Sequence, residues 1–282
     1  KMCITLSVDF FWCNELPGPE VPILSGGLLA ISRKWWHESG GYDPSMRSWG
    51  GENIDQSLRT WLCGGEIVYA EGSRVAHMWR EPGNPKTMLH YAIPEGDVLR
   101  NRLRAARAWM GPWVQKVQSF QEFQDIETGS LANFDDIKGR LQCGTFQDYL
   151  LRFEDLFVGT GMLPSSVFHL KDMNGKCLTL DLYTKKLYLH DCIADCEGQI
   201  WHRSNSLSRE DLQCCSGLKL WNYNYCLSWY GGDVQAVDCS YFGSSPYQSF
   251  GLAITESGEA MITAPALKDE QYCLNSGTFS RP

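Results

Sequence analysis

Apolar residues recur at helical spacing in several stretches of the chain. Ile54, Leu58, Trp61 and Leu62 stand at i, i+4, i+7 and i+8, one face of a helix over 52–63 that Gly64-Gly65 stops. Leu99, Leu103, Ala106 and Met110 mark the buried face of another, with Asp97 as its cap and Gly111-Pro112 as its end. A helix is expected over 33–39. Asp135-Asp136 opens a further piece through Leu141, and Phe146, Tyr149, Leu150 and Phe153 place a helix over 145–156. Shorter apolar runs at 25–31, 66–70 and 73–79 read as strands, the first opened by Gly26-Gly27. Residues 113–134 fit neither period.

Beyond Gly159-Thr160-Gly161 the pattern changes to short strand–turn units that repeat. Cys177-Leu178 is followed by Cys192 and Gln199-Ile200-Trp201. Cys226-Leu227 is followed by Cys239 and Gln248-Ser249-Phe250, and Cys273-Leu274 opens a third unit that ends at Pro282. Spacings of 49 residues from Cys177 to Cys226 and 47 from Cys226 to Cys273 mean stacked units sharing a core. The chain therefore reads as an α/β part over 1–158 and an all-β part over 159–282.

Composition narrows the function. A hydrophobic fraction of 43% in 282 residues describes globular domains, and a net charge of −8 without a basic run speaks against a nucleic-acid partner. Twelve cysteines are many for this length. Only Cys192/Cys196 and Cys214-Cys215 lie close together, whereas a zinc protein would repeat a C-x2-C pair, so the cysteines read as disulfides of a secretory compartment. Cys3 and Cys13 pair with each other or with a segment outside the chain. No apolar run reaches the length of a membrane span, and no signal peptide is visible. A disulfide-rich chain opening this way implies a natural N-terminus further upstream.

The candidate chemistry centres on Trp49-Gly50-Gly51-Glu52-Asn53. Two glycines let the backbone turn tightly and approach a ligand, and the flanking residues supply a flat apolar wall, a carboxylate and an amide. That suits a sugar site, although the pentapeptide alone is explained by a Gly-Gly turn into a helix. His77 stands in the strand-like run between Ala76 and Met78, where a lone histidine is more often structural than a metal ligand.

The order of the blocks adds to this. Gly26-Gly27-Leu28, Gly41-Tyr42-Asp43, Trp49-Gly50-Gly51-Glu52-Asn53, Ser57-Leu58-Arg59, Cys63-Gly64-Gly65, Val75-Ala76-His77-Met78-Trp79-Arg80 and Arg100-Asn101…Arg104-Ala105-Ala106…Trp109-Met110 follow one another. In this the chain resembles the polypeptide N-acetylgalactosaminyltransferases, over the C-terminal part of their catalytic domain and their lectin domain. The resemblance implies a partial GT-A-type α/β glycosyltransferase domain followed by an all-β trefoil of the ricin B type. It implies UDP-GalNAc as donor, Mn2+ as cofactor, Ser/Thr-rich polypeptides or glycopeptides as acceptors, and transfer with retention. Glu52, Trp49 and Asn53 then belong to the catalytic corner, Gly26, Gly27 and Arg80 to the donor site, and Trp79 to the acceptor side. His77 matches the family's histidine ligand to the metal. The implied disulfide of the first domain is Cys63–Cys143. The implied location is the Golgi lumen, in a type II membrane protein whose anchor lies outside this chain.

The chain also departs from the family. It has no Asp-x-His and no Asp-x-Asp, so the other metal ligands are missing and the chain alone is expected to be inactive. Glu81-Pro82-Gly83-Asn84-Pro85 replaces a His-Pro-Tyr-like loop, and Gly72 a cysteine. In the repeats, Thr179, Ser228 and Asn275 stand where sugar-binding members carry Asp, with Asp181 and Asp233 shifted nearby, so the trefoil is expected to be a scaffold. Cys177 pairs with Cys192 and Cys226 with Cys239 in this reading. Cys196 is left to Cys214 or Cys215, and Cys273 is an orphan. The rival function is an inert secreted binding protein on the same scaffold.

Overall fold

The computed structural model describes residues 1–13, 16–76, 81, 83–88, 93–160, 162–164, 166–204, 217–230, 233–239, 250–254, 260–263, 273–275 and 278–280. The chain divides into two compact units, Lys1–Glu154 and Asp155–Pro282.

The first unit is mostly helical. A short antiparallel hairpin, β1 (Met2–Ile4) and β2 (Phe10–Trp12), is closed by a Cys3–Cys13 disulfide. Then come α1 (Arg33–Glu38), α2 (Glu52–Leu62), α3 (Pro85–Met88), α4 (Asp97–Trp109), α5 (Val114–Gln118), α6 (Ala132–Leu141), α7 (Phe146–Arg152) and α8 (Glu154–Gly159), the last starting at the unit boundary. The expected apolar face of α2 is inside: Ile54, Leu58, Trp61 and Leu62 are all buried, facing α4 and α7. Leu103, Ala106 and Met110 of the α4 stretch are buried as well. Trp61 donates its indole N–H to the carbonyls of Val21 and Pro22 at 3.1 Å each, and the Tyr149 hydroxyl reaches Pro22 O at 3.2 Å, so the two helices grip one extended segment. Cys63 is bonded to Cys143, 80 residues on, which ties the end of α2 to the turn after α6. A loop of that length is worth about 4–5 kcal/mol by chain-entropy arithmetic.

Four expectations change in this unit. Residues 25–31 form a turn with Leu28 exposed, not a buried strand, because no strand among the described residues lies alongside to complete a ladder. Residues 66–70 contribute only an isolated bridge, Val68 to Glu20. Asp97 is the first helical residue rather than the cap, which is Gly96 at φ 84°. The helix expected over 145–156 is broken at Phe153 into α7 and α8.

The second unit is built from antiparallel strands. β3 (Cys177–Leu180) pairs with β4 (Leu187–His190). The remaining strands are β5 (Trp201–Ser204), β6 (Gly217–Leu220), β7 (Tyr225–Tyr230), β8 (Asp233–Asp238), β9 (Gly251–Ile254), β10 (Ala260–Thr263), β11 (Cys273–Asn275) and β12 (Thr278–Ser280). They are joined in the order β5-β6-β7-β8-β12-β11-β10-β9. Trp201 is fully buried among Leu178, Leu180, Leu218, Leu220 and Leu227. Gln199 locks the first repeat: its amide donates to Thr179 Oγ1 and Asp191 O and accepts the Ile193 N–H. Cys177–Cys192 and Cys226–Cys239 are both bonded. Cys196 is a free, half-buried thiol, which corrects its expected pairing; Cys214 and Cys215 lie outside the described residues.

Candidate functional site

The Trp49–Asn53 stretch enters α2 through a left-handed turn. Gly51 precedes the helix at φ 86°, and Glu52 is the first helical residue, where the helix N-terminus favours a carboxylate. Gly50 also has positive φ, 91°. Both backbone groups of Leu24 are held by side chains one turn apart on α2. Its N–H donates to Ser57 Oγ at 2.8 Å, and its carbonyl accepts from Asn53 Nδ2 at 3.1 Å. This brings Gly26 against Glu52: a Cβ on Gly26 would stand 2.7 Å from Glu52 Oε1. The Gly26 backbone and the Glu52 carboxylate thus share one half-open corner, and a side chain at 26 would displace the carboxylate from it.

Trp49 lies at the rim, 42% exposed, its ring 6.1 Å from that of Phe10. Tyr42 is a further rim residue that the sequence left unassigned. Its ring meets Trp36 edge-on at 5.0 Å, and its phenol is pushed above the usual range by burial and then by the negative charge of Glu52. Gly27 is exposed with open space around it. Asn53 differs from its sequence assignment: it is buried, and its amide N–H is engaged by Leu24, so it shapes the corner from inside. His77, Trp79 and Arg80 lie outside the described residues, as does Pro82 of the loop that follows.

Behind the corner sit two buried ion pairs. Asp55 accepts from Arg59 and, at 2.8 Å, from the Trp109 indole N–H; burial pushes its carboxyl up while these donors pull it back. Arg59 also donates to the carbonyls of Ser39 and Gly41, which fixes the backbone just before Tyr42. Arg104 grips Asp43 with two nitrogens, at 2.7 and 3.1 Å, and fixes the backbone just after it. Arg100 donates to Ser45 O at 2.8 Å, and Asn101 bonds both backbone groups of Arg47. Sequence reading missed these α4 residues as site builders. Their signal was present in the polar positions 100, 101 and 104, which share one side of a helix.

The described residues do not supply a metal-binding set in this corner. Among them the grouping of three possible ligands is His169, Cys177 and Cys192, in the other unit. Its two sulfurs are bonded to each other and offer no thiolate.

Parts of the chain are similar to known proteins. A family model described as the N-terminal domain of galactosyltransferase matches residues 18–81, the segment that builds the corner. Polypeptide N-acetylgalactosaminyltransferase 10 of Rattus norvegicus is 33% identical over 135 residues, 47% of this chain and 21% of that protein. Polypeptide N-acetylgalactosaminyltransferase 8 of Drosophila melanogaster is 37% identical over 142 residues, 48% of this chain and 24% of its own. N-acetylgalactosaminyltransferase 6 of the same organism is 28% identical over 246 residues, covering 80% of this chain and 35% of its own. The chain thus spans between a fifth and about a third of these relatives' lengths. Among solved structures, GalNAc-T7, crystallised with UDP, GalNAc and Mn2+, superposes on the whole chain with a TM-score of 0.54 at 18% identity. The match takes in 52% of the GalNAc-T7 chain and shows a shared fold.

Proposed function

We propose that this chain, a relative by sequence of the polypeptide N-acetylgalactosaminyltransferases, is the C-terminal half of a catalytic domain with its lectin module. The reaction is transfer of GalNAc from UDP-GalNAc to Ser or Thr of a polypeptide, with retention. The observation that carries this reading is the corner itself: a carboxylate at a helix start, a glycine backbone against it, and an exposed tryptophan three residues before it.

In this reading Glu52 accepts hydrogen bonds from hydroxyls of the transferred sugar. Gly26 and Gly27 let that sugar approach the backbone, and Trp49 covers the diphosphate from the rim. Arg80 pairs with the diphosphate through its guanidinium, and Trp79 faces the acceptor peptide. His77 is the chain's contribution to a bound Mn2+, which would stabilise charge on the leaving diphosphate. Asn53 and Ser57 hold Leu24, and so the glycine turn, in place.

The second unit is read as a ricin-type trefoil. The recurring hairpins with their bonded cysteines support this, as do the buried Gln199 and Trp201. It acts as a scaffold at its first repeat. Thr179, at the position after Cys-Leu, is buried and donates to Cys177 O, and Asp181 is occupied by the Tyr183 and Thr184 amides. The disulfides suit a Golgi lumen, with membrane attachment through an upstream anchor.

The test is transfer from UDP-GalNAc, with Mn2+, to a Thr-rich peptide by the natural protein that contains this chain. Glu52→Gln is expected to lower kcat by about a hundredfold or more, in line with loss of one preorganised polar contact. Absence of transfer by the unaltered natural protein would sink the reading.

A further inference from the structure

Three of the four residues from Ser48 to Gly51 have left-handed backbone: Ser48 at φ 49°, Gly50 at 91° and Gly51 at 86°. Trp49 is the remaining one. Such a run belongs to no helix or ladder, and a serine at positive φ is strained and persists only where its surroundings fix it. The surroundings here come from α4. Asn101 is 1% exposed. Its Oδ1 accepts the Arg47 N–H at 3.1 Å, and its Nδ2 donates to the Arg47 carbonyl at 2.6 Å. One side-chain amide therefore closes both backbone groups of one loop residue. The same residue meets the loop again beyond Trp49. A Cβ on Gly51 would stand 2.7 Å from both the carbonyl carbon and the Cβ of Asn101. Val98, one turn earlier on α4, backs Gly50 in the same way, at 3.1 Å from a Cβ built there.

We propose that Asn101 is a positioning residue for the transfer reaction. Its amide holds the loop just before Trp49, where its backbone and Cβ already pack against Gly51 just after, and so it sets where Trp49 stands and where α2 begins with Glu52, without itself meeting a ligand. No other side chain of this size makes both bonds to Arg47. Aspartate keeps the acceptor for the Arg47 N–H but sets a second oxygen against the Arg47 carbonyl, and leucine offers neither bond. The catalytic consequence rests on the transferase reading of Glu52 and Trp49; the hold on the loop does not. A group displaced by about 1 Å costs on the order of a hundredfold in rate, so a slack loop shows in kcat before it shows in peptide affinity.

The experiment labels the chain with fluorotryptophan and follows its fluorine spectrum, the Trp49 line being assigned with Trp49→Phe. In Asn101→Ala the Trp49 line is expected to shift and broaden while the other tryptophan lines stay in place. Asn101→Asp is expected to give a smaller change of the same kind, and it decides alone if the alanine variant does not fold. A Trp49 line unchanged in the folded variants overturns the proposal. In the natural protein, Asn101→Asp is expected to lower kcat about tenfold or more with the peptide KM within about twofold. An unchanged kcat alongside a lowered melting temperature makes Asn101 purely structural and overturns it too. If the unaltered natural protein transfers no GalNAc, the transferase reading fails, and the Trp49 line still judges the hold.

Discussion

Gly51 and Gly27 look alike in the sequence and differ in what a methyl group would do. At Gly51 the φ of 86° is hostile to any side chain, and an added Cβ meets the backbone of Asn101 and Arg102 within 3 Å. Neither helix can yield cheaply, so Gly51→Ala is expected to lose about 2–5 kcal/mol, read as the midpoint of urea unfolding. Gly27→Ala meets nothing within 4 Å and should change that midpoint by no more than about 0.5 kcal/mol. Gln56 points the other way. Its amide is buried, and neither its nitrogen nor its oxygen has a partner among the described residues. Replacing it with leucine removes that deficit at similar volume, so Gln56→Leu should gain about 1–2 kcal/mol and melt roughly 2–6 °C higher. A destabilised variant would show that the amide is satisfied after all. At this scale the glycine doublet and Glu52 were legible because special backbone needs special residues. Asn101 was legible only as one of the polar positions on a side of its helix; its partner 54 positions away was not, since a helix period carries no information about a loop that far along the chain.

The elements were legible where one face is buried by a period the sequence displays. The helices over 52–63 and 97–110 appear nearly as the apolar spacing places them, because their buried stripes pack on each other. The strand-like runs at 25–31 and 66–70 fail for the complementary reason, while the one at 73–79 lies partly outside the described residues. A strand needs a neighbour, and residues 25–31 have none among the described residues, so the glycines make a turn that α2 then uses. Helix α7 shows a local rule that did hold. Thr145 and Asp148 form a reciprocal capping box, and the Thr145 amide and hydroxyl hold the Asp148 carboxyl below its usual range. Because the folded pKa is depressed, the cap's contribution is complete above the ordinary carboxylate range and is lost as pH falls through the lower folded value. Asp148→Asn should therefore remove part of the drop in melting temperature seen on acidification from about pH 5 to pH 2–3. An acid limb identical to that of the unaltered chain would mean that the carboxylate does not matter there.

At the scale of the molecule, the question is how much of a transfer site these residues contain. The corner at Glu52 supplies shape and one carboxylate, and its rim supplies aromatic surface. Departure of a diphosphate needs positive charge aimed at it in the transition state. In the function proposed above, Arg80 serves that purpose and one histidine, His77, goes toward a metal; the sequence contains neither Asp-x-His nor Asp-x-Asp. A single imidazole leaves a divalent ion mostly to water, and a mobile, mostly hydrated ion stabilises the leaving group poorly. The 282-residue chain by itself is therefore expected to fold, with its disulfides formed, and yet to transfer no GalNAc to a Thr-rich peptide at millimolar Mn2+. The natural protein containing it should transfer under the same conditions. Calorimetry makes the distinction sharper than turnover alone: Mn2+ should raise UDP affinity in the natural protein and leave it unchanged in the isolated chain. Turnover by the isolated chain, or metal-dependent UDP binding to it, would mean that its own carboxylates complete the ion's coordination, and Glu52 would be the first to replace.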